Sequence, residues 1–191
     1  VVASQRERML DAMTELCATK GFAGVTVAEI VGRASVGKTT FYELFDDKEA
    51  CFIAAYDRAV HEAIKAVGAE MTGVFRPEDR IRCALRSILR FVADDEQRAR
   101  LLLIEPFAAG AQATAKMMAT HRLAEQIYIQ GRELARTQWP EYPPISEVRA
   151  QAIIGAMNAP VTAAVQAGRA RSVLALEDEL LRTITAMALA P

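Results

Sequence analysis

Gly32, Gly37, Lys38 and Thr39 stand at the spacing G-x-x-x-x-G-K-[ST], in the run Gly32-Arg-Ala-Ser-Val-Gly-Lys-Thr39. Residues of these types at this spacing can hold a nucleotide. Backbone N–H groups of the glycine loop cradle phosphates, the lysine reaches the outer ones, and the hydroxyl binds Mg²⁺. Two neighbouring stretches fit that chemistry. Val25-Thr-Val-Ala-Glu-Ile-Val31 is rich in β-branched residues, as a strand feeding such a loop would be, and Leu101-Leu-Leu-Ile-Glu105 reads as an apolar strand ending in an acid. Elsewhere the chemistry is thin. Cys17, Cys51 and Cys83 are widely separated among apolar residues, which suits buried small hydrophobes, and His61 and His121 are too isolated to complete a metal site with them. No spacing of Ser, His and acidic residues selects a nucleophile and its base, so no catalytic residue, cofactor or metal is expected.

The elements that must carry the glycine-lysine run decide its meaning. Thr26-Val-Ala-Glu29 is a capping box, and Val27, Ile30, Val31 and Ala34 follow at helical spacing, whereas strand alternation would put Glu29 on the face of Val25, Val27 and Val31. The periodicity predicts a helix there, a turn over Ala34–Gly37, and a short helix from Lys38 carrying Phe41, Leu44 and Phe45. Upstream, Ser4-Gln-Arg-Glu7 reads as a capping box opening a helix with Met9, Ala12, Met13 and Leu16 on one face, stopped near Lys20 by Gly21. Downstream, Asp46-Asp-Lys-Glu49 reads as a third box, opening a long helix striped with Phe52, Ala55, Tyr56, Ala59, Ala63 and Val67. Four such helices describe a helix-turn-helix module packed on a long fourth helix.

Within this frame, Thr26 through Glu49 resembles the DNA-binding signature of the TetR family of transcriptional regulators, with Ile30, Ala34, Val36, Thr40, Phe41, Tyr42, Phe45, Lys48 and Glu49 in register and Gly21-Phe22 matching the end of the first helix. Three departures stand out. Val31 replaces a usual Ala, Ser35 replaces the usual turn Gly, and Gly37 with Thr39 replace the usual Ser and Gly of the third helix's first turn. The nucleotide loop is then an accident of that last substitution. The resemblance implies an all-α chain: a DNA-binding domain over 1–48, helix four to about 72 as connector, and a helical ligand-binding and dimerisation domain over 49–191. It implies DNA contacts from Thr26, Ser35, Val36, Lys38, Thr39, Thr40, Tyr42 and Lys48. Thr26, Lys48 and the Tyr42 hydroxyl are expected on phosphates, Lys38, Thr39 and Thr40 in the groove, and Phe41 and Phe45 in the core.

The chain of 191 residues is 52% hydrophobic and 25% charged, with net charge -1 and mean hydropathy +0.10. A sizeable core is affordable, no run of about 18 apolar residues could span a bilayer, and the N-terminus lacks the order of a secretory signal, so a cytoplasmic protein without membrane attachment is expected. The remainder reads as alanine-rich helices over about 77–93, 96–109, 111–137, 146–167 and 175–188. A homodimer is expected through the last two, with Ala152, Gly155, Ala156, Ala159 and Ala163 on one and Leu180 and Ile184 on the other. A cavity for a small, largely apolar effector is expected between the middle helices, walled by Phe75, Phe91, Phe107, Met117, Met118, Tyr128, Trp139 and Met157, with His121, Asn158 and Thr162 as polar contacts.

The function expected is a ligand-released repressor reading a palindromic double-stranded DNA operator as a homodimer. Two rivals stand beside it: a nucleotide hydrolase using Lys38 and Thr39, and a helical interaction module without DNA binding. Local charge keeps the last alive, since residues 1–50 hold six basic residues (Arg6, Arg8, Lys20, Arg33, Lys38, Lys48) against eight acids (Glu7, Asp11, Glu15, Glu29, Glu43, Asp46, Asp47, Glu49).

Overall fold

The computed structural model describes residues 2–74 and 76–189, the side chain of Val2 excepted, so the expected cavity residue Phe75 lies outside the described residues. The chain runs α1 (Val2–Gly24), α2 (Val27–Ala34), α3 (Lys38–Leu44), α4 (Lys48–Glu70), α5 (Pro77–Asp94), α6 (Glu96–Leu103), α7 (Pro106–Ala109), α8 (Ala111–Arg136), α9 (Glu147–Gln166), a 3-10 segment (Ala170–Leu176) and α10 (Glu177–Leu189). No strand occurs among the described residues, as expected of an all-α chain. Two compact units emerge: residues up to Glu62 with Asp95–Met117, and Ala63–Asp94 with the residues from Met118 onward.

In the first unit, α1 buries Met9, Leu10, Met13 and Cys17 against Ile30, Phe41, Phe52 and Leu101. Its expected opening at Ser4 is corrected: the helix already runs at Val2, leaving Ser4 and Glu7 inside it, and the Glu7 carboxylate accepts from Arg58 of α4 at 2.9 Å instead of folding back on Ser4. Its expected stop is present, for Gly21 breaks the helix at φ +72°. The second helix opens on a complete capping box, Thr26 with Glu29. Ser35 then turns the chain in the left-handed region, φ 53° and ψ 50°, where a side chain is strained and glycine is free. Phe41 is fully buried, with its ring 5.5 Å from that of Phe45, so both aromatics serve the core as expected.

Two further expectations are corrected at α4 and α6. The cap of α4 is Asp47 alone, whose Oδ1 accepts the Ala50 N–H at 2.8 Å. Glu49 does not return to Asp46; its Oε1 lies 3.4 Å from the Ala113 N–H, at the first turn of α8. A carboxylate there meets unpaired N–H groups and the positive end of the helix dipole. It fits only because Gly110 has no side chain: a Cβ would stand 2.8 Å from Glu49 Oε1, and the backbone there has φ +121°. The single helix expected over 96–109 is two, because Pro106 brings no N–H and opens a new turn at its own position. The Glu105 N–H still reaches back to Arg100 O at 3.1 Å, closing α6.

The second unit is built on α5, α9 and α10. Ile81, Leu85, Leu89 and Val92 of α5, Ile153, Val161 and Val165 of α9, and Val173, Leu180 and Ile184 are buried, with the 3-10 segment and α10 packed against both α5 and α9. Ser146 caps α9 at the expected place, accepting from Arg149 N at 3.2 Å. Pro160 lies inside that helix, removing one backbone bond. Arg86 pins the start of α10 through Glu177 Oε1 at 2.6 Å.

The left-handed serine makes a direct test of stability. Ser35→Gly should raise the unfolding free energy by about 1 kcal/mol, the left-handed penalty less the extra freedom glycine gives the unfolded chain. Paired urea melts would measure it, and a Gly variant less stable than the parent would show that the serine is not strained.

Candidate nucleic-acid interface

The short helix α3 owes its orientation to which of its side chains are apolar. Phe41 is buried, and the faces on either side are not: Lys38, Thr39 and Tyr42 are exposed, Tyr42 by 52%, while Thr40 is half-buried. Gly37 caps the helix from extended backbone, and its carbonyl accepts the Phe41 N–H at 3.2 Å. Ser35 is exposed and Val36 half-buried in the turn before it, with Val36 N–H on Val31 O at 3.0 Å. Gly32 therefore sits in α2 and Lys38 opens α3, so the glycine-lysine run is two helix ends and not a loop around phosphates. Such a helix, with Lys38, Thr39, Tyr42 and Glu43 exposed and its N-terminus open, has the dimensions and donors to enter a major groove.

The charges around it are mostly spoken for. Arg33 pairs with Glu15, Lys20 with Glu29, and Arg6 with Glu7 at 3.5 Å. Among the described residues Lys38 has no acidic partner; its Nζ lies 5.9 Å from the centre of the Tyr42 ring, a cation–π distance at an exposed site. Thr26 is engaged locally: its hydroxyl donates to Glu29 Oε2 at 2.7 Å and accepts the Glu29 N–H at 3.3 Å.

Lys48 is engaged too. Its Nζ donates to Phe22 O at 3.0 Å and Val25 O at 2.9 Å, and lies 4.1 Å from the centre of the Phe22 ring. The other side of the same residue is held by an acid: the Phe22 N–H donates to Glu105 Oε2 at 2.8 Å. Glu105 is only 4% exposed, and its second oxygen lies 3.5 Å from Arg100 Nη2. Beside it, Cys17 is a buried free thiol, pushed up to about 12 by burial and then by the charge of Glu105. Sequence reasoning marked Glu105 only as the acid ending the apolar stretch from Leu101, and missed its role as the acceptor for the Phe22 N–H. A lone acid at a helix end carries no signature of so distant a partner.

In the second unit, the structure brings two expected ligand contacts together: His121 Nε2 and Asn158 Nδ2 are 3.4 Å apart, joining α8 to α9. Burial pushes the imidazole below its ordinary value, with Glu125 acting in the opposite sense, so the ring is neutral and its Nε2 can accept from the amide. Phe91, Tyr128, Trp139, Met157 and Thr162 are half-buried. Phe107 is 65% exposed on α7, and Met117 lies in the core of the first unit while its neighbour Met118 is exposed. A further missed group is Arg132, buried, donating to Ala188 O at 2.9 Å with its guanidinium over the Tyr142 ring.

The expected dimer residues divide. Ala152, Gly155, Ala159 and Ala163 are exposed along one side of α9 and Ala156 is half-buried, with open space around Gly155. Leu180 and Ile184 are instead buried at 6% and 4% in the chain's own core, because α10 turns its apolar face onto α5 and α9.

Residues 9–55 match the profile of the bacterial regulatory proteins, tetR family. The transcriptional activator FasR of Mycolicibacterium smegmatis is 24% identical over 125 residues, covering 65% of this chain and 57% of its own, so the match spans little more than half the length of that relative. The crystal structure of FadR from Bacillus subtilis in complex with stearoyl-CoA superposes with TM-score 0.84 at 17% identity, over 95% of this chain and 98% of that one. FadR from Bacillus halodurans gives 0.79 at 17% identity over 94% of each chain. At these identities the structural likeness is one of fold.

The capping box has a pH signature. Hydrogen bonds from Lys20 and then Thr26 hold the Glu29 carboxyl down at about 2, from an ordinary 4.5. A carboxylate depressed on folding stabilises fully above its unfolded value, and the contribution fades as pH falls from about 4.5 through 2. Carboxyl chemical shifts followed from pH 7 to 1.5 should place the Glu29 midpoint well below those of exposed glutamates. Lys20→Ala should move it upward.

Proposed function

We propose that this chain, by its helix-turn-helix module a member of the TetR family of bacterial regulatory proteins, is a transcriptional regulator that reads a palindromic DNA operator as a homodimer and is released by a small, largely apolar effector. The observation that carries the reading is the sidedness of α3, with Phe41 in the core and Lys38, Thr39 and Tyr42 outside. Lys38 and Thr39 reach base edges, joined by Thr40 at the groove wall, and Lys38 donates to guanine O6 and N7. Tyr42, Ser35, Val36 and the N-terminal turn of α2 at Thr26 lie on the backbone side, where helix N–H groups favour phosphates. Lys48, with two of its donors on carbonyls, has one left for a phosphate. No catalytic role is assigned, and the protein works in the cytoplasm. The likeness to a regulator solved with stearoyl-CoA supports a fatty acyl thioester as the first effector to try. The name of the FasR relative favours activation as the second reading, and transcription from the selected operator with and without the protein separates the two.

Selection from a random DNA pool tests the core of this reading: a two-fold symmetric site should emerge, and recovery of no preferred sequence would leave the interaction-module rival standing. Against that site, Lys38→Ala should cost about 1 to 3 kcal/mol per half-site and relax preference at one position, as loss of a base contact does. An equal loss on operator and scrambled DNA would move Lys38 to the backbone.

The exposed small-residue side of α9 supports dimerisation there, since small side chains let two helices approach closely. Ala159→Arg should lower the sedimentation coefficient from dimer towards monomer at micromolar concentration. An undisturbed dimer would place the interface elsewhere.

A further inference from the structure

We infer that Glu105 is a positioning residue for DNA reading, acting through the backbone of Phe22; this rests on the regulator reading above. Phe22 follows the Gly21 break, and the four residues from Phe22 to Val25 set the angle at which α2, and α3 beyond it, leaves α1. Both polar groups of the Phe22 backbone are held by side chains distant in sequence: the N–H by Glu105 at 2.8 Å, and the carbonyl by Lys48 at 3.0 Å together with the Val25 N–H at 3.1 Å. Gly21 is the neighbour this arrangement needs, with φ +72° and the Glu105 oxygen 3.6 Å from where its Cβ would be. The turn is thus fixed from two directions, by the start of α4 and by the corner between α6 and α7. Glu105 meets no base or phosphate in this arrangement; its effect on DNA is exerted through the direction of α2.

The chemistry requires a carboxylate. One oxygen of Glu105 accepts from Phe22 and the other faces the Arg100 guanidinium at 3.5 Å, so both ends must be acceptors. Glutamine has the same shape and one acceptor. In Glu105→Gln, either the Phe22 N–H or Arg100 confronts an NH₂ group, and a buried donor left without its acceptor loosens the turn. Removing the competing guanidinium with Arg100→Met frees the glutamine oxygen to face Phe22.

The full-length protein, its Glu105→Gln and Arg100→Met variants and the double variant can be compared by amide hydrogen exchange at Phe22 and by affinity for selected operator against scrambled DNA. Glu105→Gln should keep its helical circular-dichroism signal, exchange the Phe22 amide about tenfold faster and lose roughly tenfold in operator preference, the order of one buried hydrogen bond. The double variant should recover both readouts to within about twofold of Arg100→Met alone. Unchanged exchange and preference in Glu105→Gln would overturn the inference, as would equal losses on both DNAs or no recovery in the double variant. A wild type without sequence preference overturns the regulator reading and this inference together; a wild type with preference and an indifferent Glu105→Gln overturns this one alone.

Discussion

The backbone of one residue, Phe22, is gripped between a buried carboxylate on its N–H and an ammonium on its carbonyl, and the turn from α1 into α2 is held by that grip. Helix ends leave N–H and C=O groups unpaired, and a bend between two helices multiplies them. Here the bend follows Gly21 and lies against apolar surface, with Phe22 buried and its ring edge-on to Phe52 at 5.2 Å. The bond from the Phe22 N–H is buried, and those of the Phe22 and Val25 carbonyls are partly so. Charged side chains serve these groups, and charge-assisted bonds are stronger and more directional than neutral ones. The ammonium also lies over the Phe22 ring, so one lysine satisfies two carbonyls and an aromatic face at once.

Lys48 and Glu49 are adjacent in sequence and diverge in space. The lysine reaches the turn between α1 and α2; the glutamate meets the first turn of α8. The start of α4 is therefore a junction, locked to one element by a cation and to another by an anion. Asp57 and Lys116 repeat the attachment of α4 to α8 at 2.9 Å, about two turns further along. Gly110 is the steric condition for the junction, because any side chain there would displace the carboxylate.

Much of this was legible before any coordinates, and what was missed has a common cause. Thr26 was recognisable as a cap because cap and capped N–H lie three residues apart, and Phe41 and Phe45 as core because helical periodicity is local. Ser4 and Asp46 carried the same local pattern and failed: Glu7 found Arg58, and Glu49 found α8, partners 51 and 64 positions away. Glu105 lies 83 positions from the N–H it accepts, and no window shows such a pair. Leu180 and Ile184 show a different limit. An apolar helical face announces that it will be covered, and does not say whether by its own chain or by a copy.

The cations of the helix-turn-helix module are largely tied to acids or carbonyls of the module itself, through Arg33 with Glu15, Lys20 with Glu29, and Lys48 with Phe22 and Val25. Indiscriminate attraction to a polyanion scales with the number of counterions a protein displaces, and a module with few uncommitted cations displaces few. For a chain that reads DNA with such a surface, time on the wrong sequence is short. A smaller share of copies is then held along nonspecific DNA, and a larger share is available to the correct site.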